Sequence, residues 1–569
     1  MTTFLKNTLV LLAIVFAQIA SAQTRDDGMA AMHLEDWDSA VRIYSALSKA
    51  NPGDQDLLLT LGNMYLAKGD KAKAAETFKA AFEAKNDGAL ALVALARQKM
   101  LEHDIPETDK LLKKASKAAR KDMVARRQIG ETYMFYVSPN AKRPNYTRTE
   151  ELLLEAVDVN SKDFETLMSL AYTYKEKPDG GKSVLYYEYA ENREPKNPLP
   201  KLMIGLVYKT AKVPEKPVQY FDKAIELKPS YTPALRAKAE YLYFGRKWEK
   251  ATQAYKNLVN NGDAVKIEDE MQLANCLYIT HDCKGCSELV NKILAKDGSK
   301  NYLRRLQAYC DYENGDFARG LKILDEYFKV VTPEKVLPSD YEYHGNFLIK
   351  TEGDTMQAIA DYRKAMEMDT TGGRWMLNKE IAELLYAQRD MCGSAQAYQV
   401  LMDSVPNDDR NYATYLFYFG NAQYYCTEDS MRYAKAEMTF KKITEKLPDV
   451  MLGWQQCAKA AEAQDPSPEE IEANPEMANQ YGKARAYHEK IVELGMQNLE
   501  KYKKDVLKAC NYLAYCYFVK KEESNFNDIT NKWLSLETDP DKVQTINDMK
   551  EAFGKDEEGM EKPKGGNKK

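Results

Sequence analysis

Histidine is scarce in this chain: five in 569 residues, at positions 33, 103, 281, 344 and 488. Those at 33, 103, 344 and 488 stand apart, with no carboxylate or serine partner at motif spacing, and so few leave little for acid–base or metal chemistry. Breakers are also sparing, at 28 Gly and 21 Pro, which points to long helices. An excess of one charge is missing: 81 Lys and Arg stand against 86 Asp and Glu, a net −5. No global positive field therefore attracts a polyanion, and no nucleic-acid partner is expected. Beyond the N-terminal residues no apolar run reaches the roughly 18 to 20 residues that span a bilayer. A phosphate loop is lacking too, because Gly315 to Lys322 has glycines without the Gly-Lys-Ser/Thr ending. Paired acids such as Glu35-Asp36 and Asp408-Asp409 have an ordinary explanation as solvated turns. No argument for an enzyme emerges, and no cofactor or metal is implied.

What is present suffices for a folded chain: 44% of residues are hydrophobic and 11% aromatic, with 38 Tyr. At about 150 residues per domain the length alone suggests three or four domains. The N-terminus carries one cation, Lys6, then an almost wholly apolar stretch from Thr8 to Ala20, then Ala20-Ser21-Ala22-Gln23. A positive start, a short apolar core and small residues at −3 and −1 are the parts of a cleavable export signal, residues 1–22, with cleavage after Ala22. A retained membrane helix is the alternative, but the run is too short to span. No Cys follows the cleavage point, which disfavours a lipid anchor. The expected location is periplasmic or associated with an outer membrane.

Self-comparison is the most informative step. Leu61-Gly62-Asn63-Met64-Tyr65, then Gly69-Asp70, Ala74, Phe78 and Ala81, form one complete unit. Gly28, Ala40 and Tyr44 each lie 34 residues before a counterpart in it, with Pro52 at the close. The frame returns at Ala171, Tyr174, Tyr187, Ala190 and Pro195, and 34 residues later at Gly205, Tyr208, Phe221, Ala224 and Pro229. Looser copies continue through Gly353-Asp354 with Ala358, Tyr362 and Ala365, through Ala436, Phe440 and Pro448, and through Ala514 and Tyr517. This spacing resembles the tetratricopeptide repeat, a helix–turn–helix module. Nearly the whole chain after the leader is covered.

The resemblance implies an all-α fold, an α-solenoid or superhelix of about thirteen or fourteen repeats over residues 23–540, which sets aside the domain count from length. Small residues such as Gly62 and Ala74 are expected where the two helices of a pair cross. Two insertions, 137–147 and the Pro- and Glu-rich 464–479, read as excursions between the helices of a pair. Residues 541–569 read as a helix end and a Lys-rich tail that is flexible from Gly554 on.

The resemblance further implies a non-catalytic scaffold whose first helices line an inner, concave surface that binds protein partners. In the best-registered units the inner positions include Asn63, Tyr172, Lys175, Lys209, Arg236, Glu240 and Tyr243. Tyr at helical spacing is more often packing than contact in such a fold. The carboxylate clamp of one subclass is absent from the registered units, since its lysine positions hold Leu59, Met168 and Leu202, and Arg236 is followed by Glu240. Cell-envelope proteins are the expected partners. An envelope assembly or secretion factor that holds exported chains transiently is a second reading, and binding of a glycan or wall polymer a third. Triplets such as Asp354-Thr355-Met356 and Asp429-Ser430-Met431 resemble acceptor sites for O-glycosylation of exported Bacteroidetes proteins.

Nine cysteines at irregular spacing give no obvious disulfide framework. Cys276, Cys286 and Cys516 fall where the repeat wants small or core residues, and Cys510 and Cys516 sit about 9 Å apart on one helix, too far to bridge. His281-Asp282-Cys283-Lys284-Gly285-Cys286 is the one cluster that resembles a zinc or dithiol site, but it lacks a second spaced pair and spans an inter-helix turn. Whether Cys283 and Cys286 pair is left open.

Overall fold

The computed structural model describes residues 24–558. The expected export signal, residues 1–22, and the end of the Lys-rich tail lie outside the described residues. Every regular element among those described is helical. The helices gather into two compact units, with the division after Cys310.

In the first unit the helices are α1 (Arg25–His33), α2 (Trp37–Ala50), α3 (Gln55–Ala67), α4 (Lys71–Ala84), α5 (Gly88–Leu101), α6 (Ile105–Ala119), α7 (Met123–Gly130), α8 (Tyr146–Val159), α9 (Phe164–Glu176), α10 (Gly180–Arg193), α11 (Leu199–Thr210), α12 (Lys216–Leu227), α13 (Thr232–Phe244), α14 (Trp248–Asn261), α15 (Ile267–Ile279) and α16 (Cys283–Lys296). The division falls within α17 (Arg304–Glu313). The second unit holds α18 (Phe317–Val330), α19 (Pro338–Lys350), α20 (Thr355–Met368), α21 (Leu377–Ala387), α22 (Met391–Ser404), α23 (Tyr412–Tyr425), α24 (Arg432–Lys446), α25 (Met451–Glu462), α26 (Pro468–Ala473), α27 (Arg485–Met496), α28 (Leu499–Val519), α29 (Glu523–Leu536) and α30 (Pro540–Glu558). Consecutive helices pair and stack, so each unit is a run of repeated hairpins.

The Gly-Asp of the motif makes the turn within a pair. Gly69 adopts φ +86°, a left-handed value that ends α3 without a Cβ penalty. Asp70 then caps α4, its carboxylate accepting the Lys73 N–H at 3.0 Å. Asp36, Asp104, Asp163, Asp179, Asp282, Asp354 and Asp390 cap other helices in the same way. Each hairpin then closes on its small residue. A Cβ built on Gly62 would lie 2.2 Å from the Phe78 ring, and one on Gly420 would lie 2.4 Å from Phe440, so the helices approach only because no side chain intervenes. Ala74 is fully buried at the same crossing.

Sharing of apolar faces links neighbouring hairpins. In the first unit one cluster runs from Met29 to Ala237, whereas the second holds clusters around Tyr398, Phe440 and Phe526. Two segments interrupt the hairpins. The first leaves the chain irregular between a 3-10 turn, Glu131–Tyr133, and α8, and the second holds α26 and a 3-10 turn, Pro475–Gln480, between α25 and α27. At the C-terminal end the α30 backbone continues helical through Glu558. No described helix is long and apolar enough to cross a membrane.

Candidate functional site

Two of the expected inner residues of the first unit, Tyr172 and Lys175, lie against α1 and the turn that follows it. Thr24 opens the helix with a capping box, in which its hydroxyl accepts the Asp27 N–H at 3.2 Å and Asp27 accepts the Thr24 N–H at 2.8 Å. The next turns hold six consecutive buried residues, Gly28 to His33. A helix buried all round is covered by more than its own hairpin partner. Gly28 meets Tyr44 of α2, where a Cβ would come within 2.9 Å of the ring. The remaining cover comes from α3, α7, α9 and α10.

Two guanidiniums and three carboxylates organise that cover. Arg127 of α7 donates to Asp56 at 2.7 Å and Glu131 at 3.2 Å, and its Nε lies 2.9 Å from a Glu165 oxygen, all with its side chain only 5% exposed. Arg25 of α1 pairs with the other Asp56 oxygen and, through Nε, with Glu165 at 2.8 Å. Gln128 adds donations to Asp56 at 2.6 Å and Thr60 at 2.9 Å, and Ser169 donates to Glu131 at 2.6 Å. Arg97, fully buried, spends its donors on the Leu59 carbonyl at 2.9 Å and the Gln128 carbonyl at 2.7 Å. Burial opposes the charge on Asp56, but Arg127 and then Arg25 outweigh it and hold the carboxyl below its ordinary pKa.

Further along α1, His33 shares a 3.1 Å hydrogen bond with the Tyr187 hydroxyl and stands edge-on to Tyr172 at 5.6 Å. Burial, with Lys175 adding to it, pushes His33 down to about 3, so the imidazole is neutral. The turn that follows is tied by Glu35 to Lys175 and by Asp36 to Lys266 at 3.3 Å. Trp37 meets Phe135 at 5.5 Å. The first hairpin thus contacts residues about 100 to 230 positions away.

Against this geometry the seven expected contact residues separate. Asn63 and Tyr172 are buried, at 1% and 2% exposure, and present no free surface; the Asn63 Oδ1 has no hydrogen-bond partner among the described residues. Lys175 is engaged by Glu35 and lies 4.6 Å from the centre of the Tyr172 ring. Arg236 grips Asp269 of α15 with two 2.7 Å hydrogen bonds. Glu240 and Tyr243 are half-buried, Tyr243 packed edge-on against Trp248 at 5.4 Å and Phe244 at 5.6 Å, while Phe244 itself is 76% exposed. Lys209 is exposed. Tyr172 and Lys175 therefore meet beside α1 and the turn after it, Asn63 is buried on α3, and Arg236, Glu240 and Tyr243 share α13.

Asp56, Arg127, Glu131 and Glu165 were not among the expected residues, although the period points to them. Gly130 lies 68 residues, two periods, after Gly62. Glu131 therefore holds the register position of Asn63. The unit around α7 is short and interrupted by the first insertion, which obscures this phase.

The cysteine cluster resolves as a helix start. Asp282 caps α16 by accepting the Gly285 N–H at 3.0 Å, and Cys283 and Cys286 are buried on that helix. Cys276 and Cys516 are core residues as their phase suggests. A disulfide joins Cys392 of α22 to Cys426 after α23, with Cα atoms 4.7 Å apart. The two residues are 34 apart, equal to the repeat period, so the bridge links successive hairpins.

Residues 26–89 match the tetratricopeptide repeat family model. No curated protein matches the chain. Among solved structures it is similar to the C-terminal part of a TPR repeat-containing protein from Cytophaga hutchinsonii, at 25% identity over 48% of this chain and 98% of that one, with a TM-score of 0.31. It is also similar to PilF of Pseudomonas aeruginosa, at 17% identity over 43% of this chain and 92% of that one, with a TM-score of 0.26.

Proposed function

We propose, for a chain that carries tetratricopeptide repeats, that it is an exported, non-catalytic scaffold which binds segments of cell-envelope proteins along the inner positions of its first unit. One observation carries the reading: those positions already hold a helix, α1, through two guanidiniums, three carboxylates and a histidine–tyrosine contact. A surface that seats a short helix by matched charge and apolar packing has the chemistry of helix-in-groove recognition. Beyond α1, the exposed Lys209 and the aromatic pair Tyr243 and Phe244 offer contact area with a polar handle.

Export is supported by the residue 1–22 leader pattern and by the Cys392–Cys426 disulfide, since such bonds persist in oxidising compartments. The experiment is affinity capture from native envelope extract with the wild-type chain and with a Lys209→Glu, Tyr243→Ala double variant. A partner recovered by the wild type and lost by the variant is the expected result. Recovery of nothing above a control, or equal recovery by both, contradicts the reading.

A further inference from the structure

Nine residues are too few to persist as a helix in water, where isolated helices below about 12 to 15 residues are marginal. α1 therefore owes its conformation to its seat, as a bound peptide does. It is tethered at one end only among the described residues, through the Leu34–Asp36 turn, and that turn is held by exposed or half-exposed ion pairs to Lys175 and Lys266, of a kind that contributes little individually.

We propose that the groove formed by α3, α7 and α9 is a receptor for a short helix with a basic residue in its first turn and a small or Met-bearing face, and that α1 is its resident occupant, exchanged when a partner helix of that chemistry enters. The inference rests on the partner-binding reading and specifies the ligand. Charge sets the first requirement. Without Arg25, Arg127 is the one guanidinium still ion-paired with the carboxylates of Asp56, Glu131 and Glu165, because the nearby Arg97 gives its hydrogen bonds to Leu59 and Gln128. Buried carboxylates short of a cation select one from whatever enters. A guanidinium suits the place, since Arg25 spans Asp56 and Glu165 at once. The second requirement is apolar. Met64 and Met168 border the same small cavity as Met29 and Met32 of α1, and methionine adapts its shape to differing neighbours.

The test uses the full chain and a labelled peptide of residues 24–36. Two variants release α1 by different means: Arg25→Glu sets like charges against Asp56 and Glu165, and Gly28→Leu drives a side chain into Tyr44. Expected is at least tenfold faster hydrogen exchange in α1 in both variants, with peptide binding at least tenfold tighter than to the wild-type chain. A peptide carrying Arg25→Glu should bind at least tenfold more weakly than the wild-type peptide. Unchanged exchange of α1 in both variants, release of α1 without peptide binding, or equal binding to all three chains overturns the proposal. Release without peptide binding would leave capture through Lys209 and Tyr243 standing. Peptide exchange with no partner dependent on those residues would refute the scaffold reading and not this one.

Discussion

Replacing Arg127 by Met asks most of the inner groove. One guanidinium, 5% exposed, serves Asp56 at 2.7 Å, Glu165 at 2.9 Å and Glu131 at 3.2 Å. Its removal leaves those carboxylates with Arg25, Gln128 and Ser169, and breaking a buried pair from one side costs about 3–5 kcal/mol. An exposed pair supplies the contrast: Lys79 and Glu83 lie 3.7 Å apart with side chains 69% and 63% exposed, so Lys79→Met should change stability by less than about 0.5 kcal/mol. The loss should depend on pH. The Asp56 carboxyl is held below its unfolded value, so its contribution is complete above about pH 4 and disappears as pH falls through the lowered folded value. In Arg127→Met burial still opposes ionisation with less to offset it, and protonation relieves part of the deficit. The assay is denaturant unfolding of the full chain at neutral pH and near pH 4, with hydrogen exchange in α3, α7 and α9 to localise the change. A deficit under about 1 kcal/mol at neutral pH, or one equally large in acid, would refute the reasoning.

Three further predictions concern other parts of the chain. Gly62→Ala places a Cβ 2.2 Å from the Phe78 ring and should cost about 1–3 kcal/mol, part of which Phe78→Leu in the same chain restores; unfolding midpoints of the single and double variants check this. Reducing the Cys392–Cys426 disulfide, which closes a 34-residue separation, should remove up to about 4 kcal/mol, and an unchanged melting curve with and without reductant contradicts it. In the second unit, burial disfavours the charged form of His344, but Asp361 at 2.6 Å and Asp325 at 3.2 Å outweigh it and raise the pKa. Its contribution is therefore complete below about pH 6.5 and lost as pH rises through the raised folded value. Hydrogen exchange in α19 and α20 should accelerate between pH 6 and pH 8.5 beyond the intrinsic rate change, and His344→Gln should abolish that excess.

The hairpins were legible because their determinants are local. Gly69 and Asp70 make a turn within four residues, and Gly62 meets Phe78 sixteen residues on. A fixed period exposes such pairs, and it also placed the core cysteines Cys276 and Cys516. The state of the inner positions was not legible in the same way. Asn63 and Tyr172 hold contact positions in the register, yet both are buried, Tyr172 because the first hairpin packs against residues more than a hundred positions away. Nothing in a 34-residue pattern encodes that closure. The disulfide was missed for a different reason: Cys392 and Cys426 are one period apart, but the turn after Cys426 is lengthened, which hides the phase of its unit.

The claim that inner positions of the first unit receive a partner is tested most directly by site-specific photocrosslinking in cells. A photoreactive residue replaces either Lys209, exposed on a first helix, or Lys79, exposed on a second helix. The account predicts a discrete protein adduct from position 209 and none from position 79. Adducts from position 79 alone, or the same adducts from both positions, would contradict it.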